Sequence, residues 1–100
     1  MKSHHAIGHA IKLFRKQRKL TQEDFGVVSS RTYLSTLERG LKNPTLEKLE
    51  EISQVLGVHP ATLVLLSYAL LTSDVNEACE IIDSIDDEAK KLCGILIKNR

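Results

Sequence analysis

Five polar side chains of the short stretch 31–39 are spaced to share one helix face: Arg31, Thr32, Ser35, Thr36 and Arg39. On a helix they share an outer surface over Leu34 and Leu37, whose spacing marks a narrow inner face. A guanidinium and several short hydroxyls held in a rigid row make a fixed set of hydrogen-bond donors and acceptors. The edges of base pairs in the major groove of DNA are the surface that such a row fits.

That row needs a helix with a defined start, a defined stop and something to rest on. Either Ser29 or Ser30 can cap the start, because a serine hydroxyl competes for backbone donors. Gly40 supplies the stop as a C-cap glycine. Just upstream, Thr21 can cap another short helix. Gln22, Glu23 and Asp24 fill its first turn, where carboxylates suit the helix dipole. Phe25 and Val28 are the apolar positions that hold it down. Residues 20–40 therefore predict two short helices joined by a tight turn.

The rest of the chain also predicts helices, and no strand pattern stands out. Helix one spans about residues 4–18, with Ala6, Ile7, Ala10, Ile11, Leu13 and Phe14 on or near its inner face. After a loop at residues 41–44, Thr45 caps helix four. That helix uses Leu46, Leu49, Ile52, Val55 and Leu56, and Gly57 ends it. His59 and Pro60 open helix five, since proline suits a first turn. Residues 74–98 form one bent helix or two, with a break at 84–87 and Asp86 as a cap. Their stripe is Val75, Ala78, Cys79, Ile82, Ile85, Ala89, Leu92, Cys93 and Leu96.

Composition sets the frame. One hundred residues suit one domain with a modest core. Hydrophobic content is 42 %, with two Tyr, two Phe and no Trp, so Leu, Ile and Val must fill that core. Charge is unevenly placed. Residues 1–59 hold ten Lys/Arg against six Asp/Glu, and residues 60–100 hold four against seven. A basic half carrying the polar row and an acidic half without it fit contact with DNA at one end.

Several other chemistries are not indicated. No phosphate-cradling glycine loop or nucleophile elbow is present, so an enzyme is not expected. His4, His5 and His9 contain an i,i+4 pair, but no Asp, Glu or Cys lies nearby in sequence to complete a metal site, and no metal or cofactor is expected. Cys79 and Cys93 lack zinc-type pairing and are expected as buried small hydrophobes. His59 suits a helix start better than a titrating sensor. The N-terminus lacks the long apolar run of a signal peptide. The longest apolar stretch, residues 61–71, is interrupted by Thr62 and Ser67 and is too short to span a bilayer. A cytoplasmic protein with no membrane partner is expected.

Arg15, the run LTQED from Leu20, SSRTYLSTLERG from Ser29, KNPTLEKL from Lys42 and LGV from Leu56 occur in this order. With these pieces the chain resembles the phage-repressor/Cro (Xre) family of helix-turn-helix DNA-binding proteins, over residues 6–66. One departure matters: residues 22–38 are about two residues shorter than the usual family pattern. Helix two or its turn must be trimmed. The resemblance implies an all-α fold, a five-helix repressor-like helix-turn-helix domain with one or two extra C-terminal helices. Residues 1–72 form the DNA-binding domain. Residues 73–100 form an extension that packs on helix five, dimerises or does both.

The resemblance also implies roles. Arg31, Thr32 and Thr36 face the bases. Gln22, Tyr33, Ser35, Arg39, Lys42 and Asn43 are candidates for phosphate contact, which positions the protein and makes binding salt-dependent. Arg15 and Glu38 form an ion pair that ties helix one to the recognition helix, so loss of Glu38 destabilises the fold and weakens DNA binding indirectly. Family members usually dimerise to place two recognition helices about 34 Å apart on a palindrome.

Helix five is apolar nearly all round, so either the C-terminal helices wrap it or a second subunit does. The expected interface of a C2 homodimer is Leu63, Leu66, Tyr68, Leu70, Leu71, Ile82, Leu92 and Leu96. The resulting expectation is a dimeric transcriptional regulator, more readily a repressor than an activator, with double-stranded DNA as partner. A protein partner on the C-terminal helices is a further possibility. The alternatives are a protein–protein adaptor with little DNA affinity, or an antitoxin or controller-type autoregulator.

Overall fold

The computed structural model describes residues 3–99, and every regular element among them is helical. In chain order these are α1 (Ser3–Gln17), a 3₁₀ turn (Gln22–Phe25), α2 (Arg31–Glu38), α3 (Leu46–Leu56), α4 (Pro60–Ala69) and α5 (Val75–Lys98). The first five make the compact body and α5 is the single extra helix. The second helix of the motif is thus reduced to one 3₁₀ turn, which is where the shortened spacing takes effect.

α1 is central to the body. Ala6, Ile7, Ala10 and Ile11 are buried on one of its faces, and it packs on both α2 and α4. Leu13, expected near that face, is exposed, because the 3.6-residue period rotates it toward solvent. Gly8 stands where α1 passes closest to α2: a Cβ there would overlap the Leu37 carbonyl oxygen. The core joins Ile11 to Phe25, Leu34, Leu37, Ile52, Leu56 and Leu63, all essentially inaccessible. Burying each such side chain contributes about 1.5–3 kcal/mol.

Local chemistry sets the ends of the helices. The Ser30 hydroxyl accepts from the Tyr33 N–H at 3.1 Å, and the Thr45 hydroxyl accepts from the Lys48 N–H at 3.1 Å. Gly40, at φ 74°, lets the Leu41 N–H return to the Thr36 carbonyl and close α2. Nδ1 of His59 accepts from the Ala61 N–H at 3.0 Å, so this histidine caps α4 ahead of Pro60. Thr21 stands at the N-cap of the 3₁₀ turn, in a capping box with Asp24: the Asp24 carboxylate takes the Thr21 N–H at 2.6 Å and the Thr21 hydroxyl at 3.1 Å. Leu46, expected inside, is exposed as the first residue of α3.

α5 differs most from expectation. It is one continuous helix with no break at 84–87, and Asp86 lies mid-helix paired with Lys90 at 3.0 Å. The Asp74 carboxylate caps its start, accepting from Asn76 N–H at 2.8 Å. Its first half packs on α4, but none of its described residues is buried. Cys79 and Cys93 are therefore exposed rather than buried, because none of the described residues covers that face. The radius of gyration, 14.9 Å, exceeds the about 13 Å of a compact chain this long, consistent with a helix of about 36 Å standing off the body. No single helix among the described residues is long and apolar enough to cross a membrane.

Candidate nucleic-acid interface

The anchor beneath α2 is an ion pair. Arg15 donates to Glu38 twice, from Nε at 2.7 Å and from Nη2 at 3.0 Å, and Nη1 donates to the Leu20 carbonyl at 2.9 Å. The two side chains are only 11 % and 3 % exposed, so the pair is fixed and largely dry. The hydrogen bond to Glu38 raises the Arg15 pKa, against the opposing effect of burial, so the guanidinium stays charged. This two-point contact sets the angle between α1 and α2. The Gln22 amide adds a third donor to Glu38, at 3.2 Å. Gln22 thus belongs to this buried network, and its side chain would reach a phosphate only by leaving it.

On the outer surface of α2, Arg31 and Thr32 are exposed while Ser35 and Thr36 are half-buried. Arg31 Nη1 meets Glu23 Oε1 at 3.4 Å, with side chains 71 % and 75 % exposed. A pair so open to water holds Arg31 weakly. The Thr36 hydroxyl donates to the Thr32 carbonyl at 2.8 Å. Its lone pairs and methyl group remain for a ligand. Arg39, Lys42 and Asn43 are exposed at the C-terminal end of the same helix, and the Arg39 guanidinium lies over the Ser35 carbonyl at 3.4 Å. The structure thus brings together Arg31, Thr32, Ser35, Thr36 and Arg39, with Lys42 and Asn43 alongside.

Tyr33 stands at the edge of this surface. Lys42 and Lys48 both lie over its ring, at 5.8 and 5.6 Å. Lys48 was not singled out from the sequence, yet it ties three pieces together. Its Nζ donates to the Val28 carbonyl at 2.6 Å and to Glu51 at 3.0 Å. It thereby pins the turn before α2 onto α3. Arg18, also unassigned, donates to the Leu56 carbonyl at 2.9 Å and closes α3 from the α1 side. Both act through long side chains that cross between elements, for which sequence spacing carries no signal. Gly8 had one readable sign, a glycine on the apolar face of a helix.

The remaining sequence candidates lie elsewhere. Leu63 is fully buried in the body, so it serves the core of one chain and offers no surface. Leu66, Leu70 and Ile82 are half-buried, whereas Tyr68, Leu71, Leu92 and Leu96 are exposed. Of the three N-terminal histidines, the side chain of His4 lies outside the described residues. His5 is exposed beside Gly40, and His9 is half-buried.

Comparison with known proteins bears on this arrangement. The family described as Helix-turn-helix matches residues 11–63, from mid-α1 into α4. The immunity repressor protein of Bacillus phage phi105 is 40 % identical over 60 residues, covering 58 % of this chain and 42 % of that protein. An uncharacterised HTH-type transcriptional regulator of Sinorhizobium fredii is 43 % identical over 60 residues, covering 58 % of this chain and 78 % of that protein. The cryptic phage CTXphi transcriptional repressor RstR of Vibrio cholerae is 32 % identical over 91 residues, covering 88 % of this chain and 81 % of that protein. A match of that length necessarily runs into α5. The chain spans under half the length of the phage phi105 repressor. No solved structure gives a significant match.

Proposed function

Because this chain belongs to the helix-turn-helix family of transcriptional regulators, we propose that it represses transcription by occupying a specific duplex DNA site in the cytoplasm. The observation that carries the proposal is an exposed Arg31 and Thr32 on a helix whose underside is fixed by the Arg15–Glu38 pair. α2 enters the major groove. Arg31 leaves Glu23 and donates two hydrogen bonds to guanine O6 and N7, a pairing worth about 1–3 kcal/mol of discrimination. Thr32 and Thr36 contact a thymine methyl or accept from a base edge. Arg39, Lys42 and Asn43, flanked by Tyr33 and Ser35, meet the phosphates and set the register. The protein acts as a homodimer on a palindrome, with its two α2 helices about one DNA turn apart. Bound there, it excludes the transcription machinery from the same duplex.

The test is selection from randomised duplex DNA by wild type and Arg31→Ala at two salt concentrations. The expected result is an enriched palindrome, with the variant binding about 5- to 150-fold more weakly and relaxed at one base position. Salt-sensitive retention without enrichment would reduce the function to phosphate attraction. No retention at low salt would overturn it in favour of a protein-binding adaptor.

A further inference from the structure

α5 carries apolar residues at alternating three- and four-residue steps: Val75, Ala78, Ile82, Ile85, Ala89, Leu92 and Leu96. That is a heptad seam across three repeats, the pattern by which one helix packs along another. Among the described residues α5 packs on α4, and of the seam only Ala78, Ile82 and Ile85 are half-buried, while Val75, Ala89, Leu92 and Leu96 are exposed. Between the body and α5 lies a groove of about 650 Å³, with Leu46, Leu65 and Tyr68 on one wall and Ile82, Ile85 and Ala89 on the other. The second half of the seam, with Leu92 and Leu96, projects beyond it and is exposed. Each chain thus has an apolar groove beside one half of the seam and an apolar prong on the other half.

We propose that the occupant of this groove is the distal half of α5 from a second copy, running antiparallel to the first. The inference rests on the homodimer reading above and specifies its interface. Antiparallel pairing with seam layers Ala78 against Leu96, Ile82 against Leu92 and Ile85 against Ala89 uses every seam residue but Val75, and each prong fills the other chain's groove. The flanks select this direction. On one flank, Ile81 of each chain meets Ile95 of its partner. On the other flank, Cys79 of each chain meets Cys93 of its partner. The only like-charge meetings, Asp86 and Glu88 with their own copies, fall at the centre, where Lys90 already binds Asp86. Parallel pairing would instead set Ile81 against Asp86 and Glu88 against Cys93, placing a carboxylate against an apolar or thiol side chain at each contact.

The two native thiols report the direction. They lie fourteen residues apart on one straight helix, about 21 Å, so a short bis-maleimide cannot join them within one chain. Treating the full chain with that reagent and mapping the cross-linked peptides of doubled mass should yield Cys79 joined to Cys93. Links of Cys79 to Cys79 and Cys93 to Cys93 would show parallel pairing and overturn the proposal. A dimer by sedimentation velocity that gives no link would place the interface elsewhere and overturn it too. So would a monomer at all concentrations, leaving the groove to a different apolar occupant.

Two variants check the interface without relying on the thiols. Leu92 and Ile97 are equally exposed, at 57 % and 56 %, but only Leu92 lies on the seam. Leu92→Arg should weaken dimerisation by about 100-fold or more, since it places two unpaired charges in the seam of each dimer. Ile97→Arg should leave dimerisation unchanged. Equal effects would overturn the proposal, and helicity by circular dichroism confirms that both variants fold. DNA retention is read separately. Wild type that cross-links as expected but retains no DNA refutes the repressor function alone. Wild type that selects DNA but links otherwise refutes the pairing alone.

Discussion

α1 and α5 both carry a continuous apolar stripe, and the two stripes meet opposite ends. The stripe of α1 is closed on two sides, by α2 and α4, and its inner residues are lost from solvent. The stripe of α5 meets α4 along part of its length and is otherwise open. The same contrast holds for charge. Arg15 and Glu38 are enclosed and bonded at two points, whereas Lys90 and Asp86 form an i,i+4 pair in water. Amphipathic periodicity fixes which face of a helix seeks burial. The number of neighbours that arrive decides whether it is buried. The body, through α4, completes itself within one chain, and α5 does not.

The strongest way to break this contrast is to remove one acid from each region. Glu38→Ala strands the Arg15 charge in a nearly dry site, and loss of one partner of a buried pair costs about 3–5 kcal/mol. It also frees the Gln22 amide from its bond to Glu38. The melting temperature should fall sharply, and DNA binding should fall with it because the angle of α2 is no longer fixed. Asp86→Ala removes a solvated partner and should change stability by about 0–0.5 kcal/mol. Thermal denaturation of the two variants side by side decides the matter. Equal shifts would mean that the buried pair does not anchor the body.

A smaller effect is expected where α1 crosses α2. At Gly8 an added methyl meets backbone, the carbonyl of Leu37, which cannot rotate away. Gly8→Ala should therefore destabilise by about 1–3 kcal/mol through a forced shift of α1, despite alanine's better helix propensity. Urea denaturation measures it. An unchanged midpoint would show that the two helices separate easily, and the rigidity assigned to the body would be overstated.

How much of this was legible in the sequence follows the same division. Caps depend on a residue and its immediate neighbours, so Ser30, Thr45, Gly40 and the His59–Pro60 start could be read directly. The row on α2 was readable because Leu34 and Leu37 fix which side faces inward. What escaped depends on distant neighbours. Lys48 reaches Val28 and Arg18 reaches Leu56 across gaps of 20 and 38 residues, and no local pattern encodes such a reach. Leu46 and Leu13 lay near apolar periods but at their margins. Cys79 and Cys93 read as core residues yet stand exposed, because an uncovered stripe has the same sequence as a covered one. The break expected at 84–87 did not occur. Ser84, Asp86 and Asp87 are weak helix formers, but Ile82, Ile85 and Ala89 carry the seam through them without a glycine or proline.

The smallest effect tests whether α5 is energetically separate from the body. Gly94 lies inside the helix with nothing near the position of a Cβ, and it sits off the seam. Replacing it with alanine should stabilise that part of the helix by about 0.5–1 kcal/mol, by limiting the freedom of the unfolded chain and adding no clash. Where that gain appears depends on coupling. If the distal half of α5 opens without the body, amide exchange of residues 88–98 should slow several-fold in Gly94→Ala, while exchange at Leu34, Leu37 and Ile52 stays the same. If the slow core amides gain protection by the same factor, α5 unfolds together with the body. The comparison between a closed half and an open one would then describe solvent exposure alone, not independent stability.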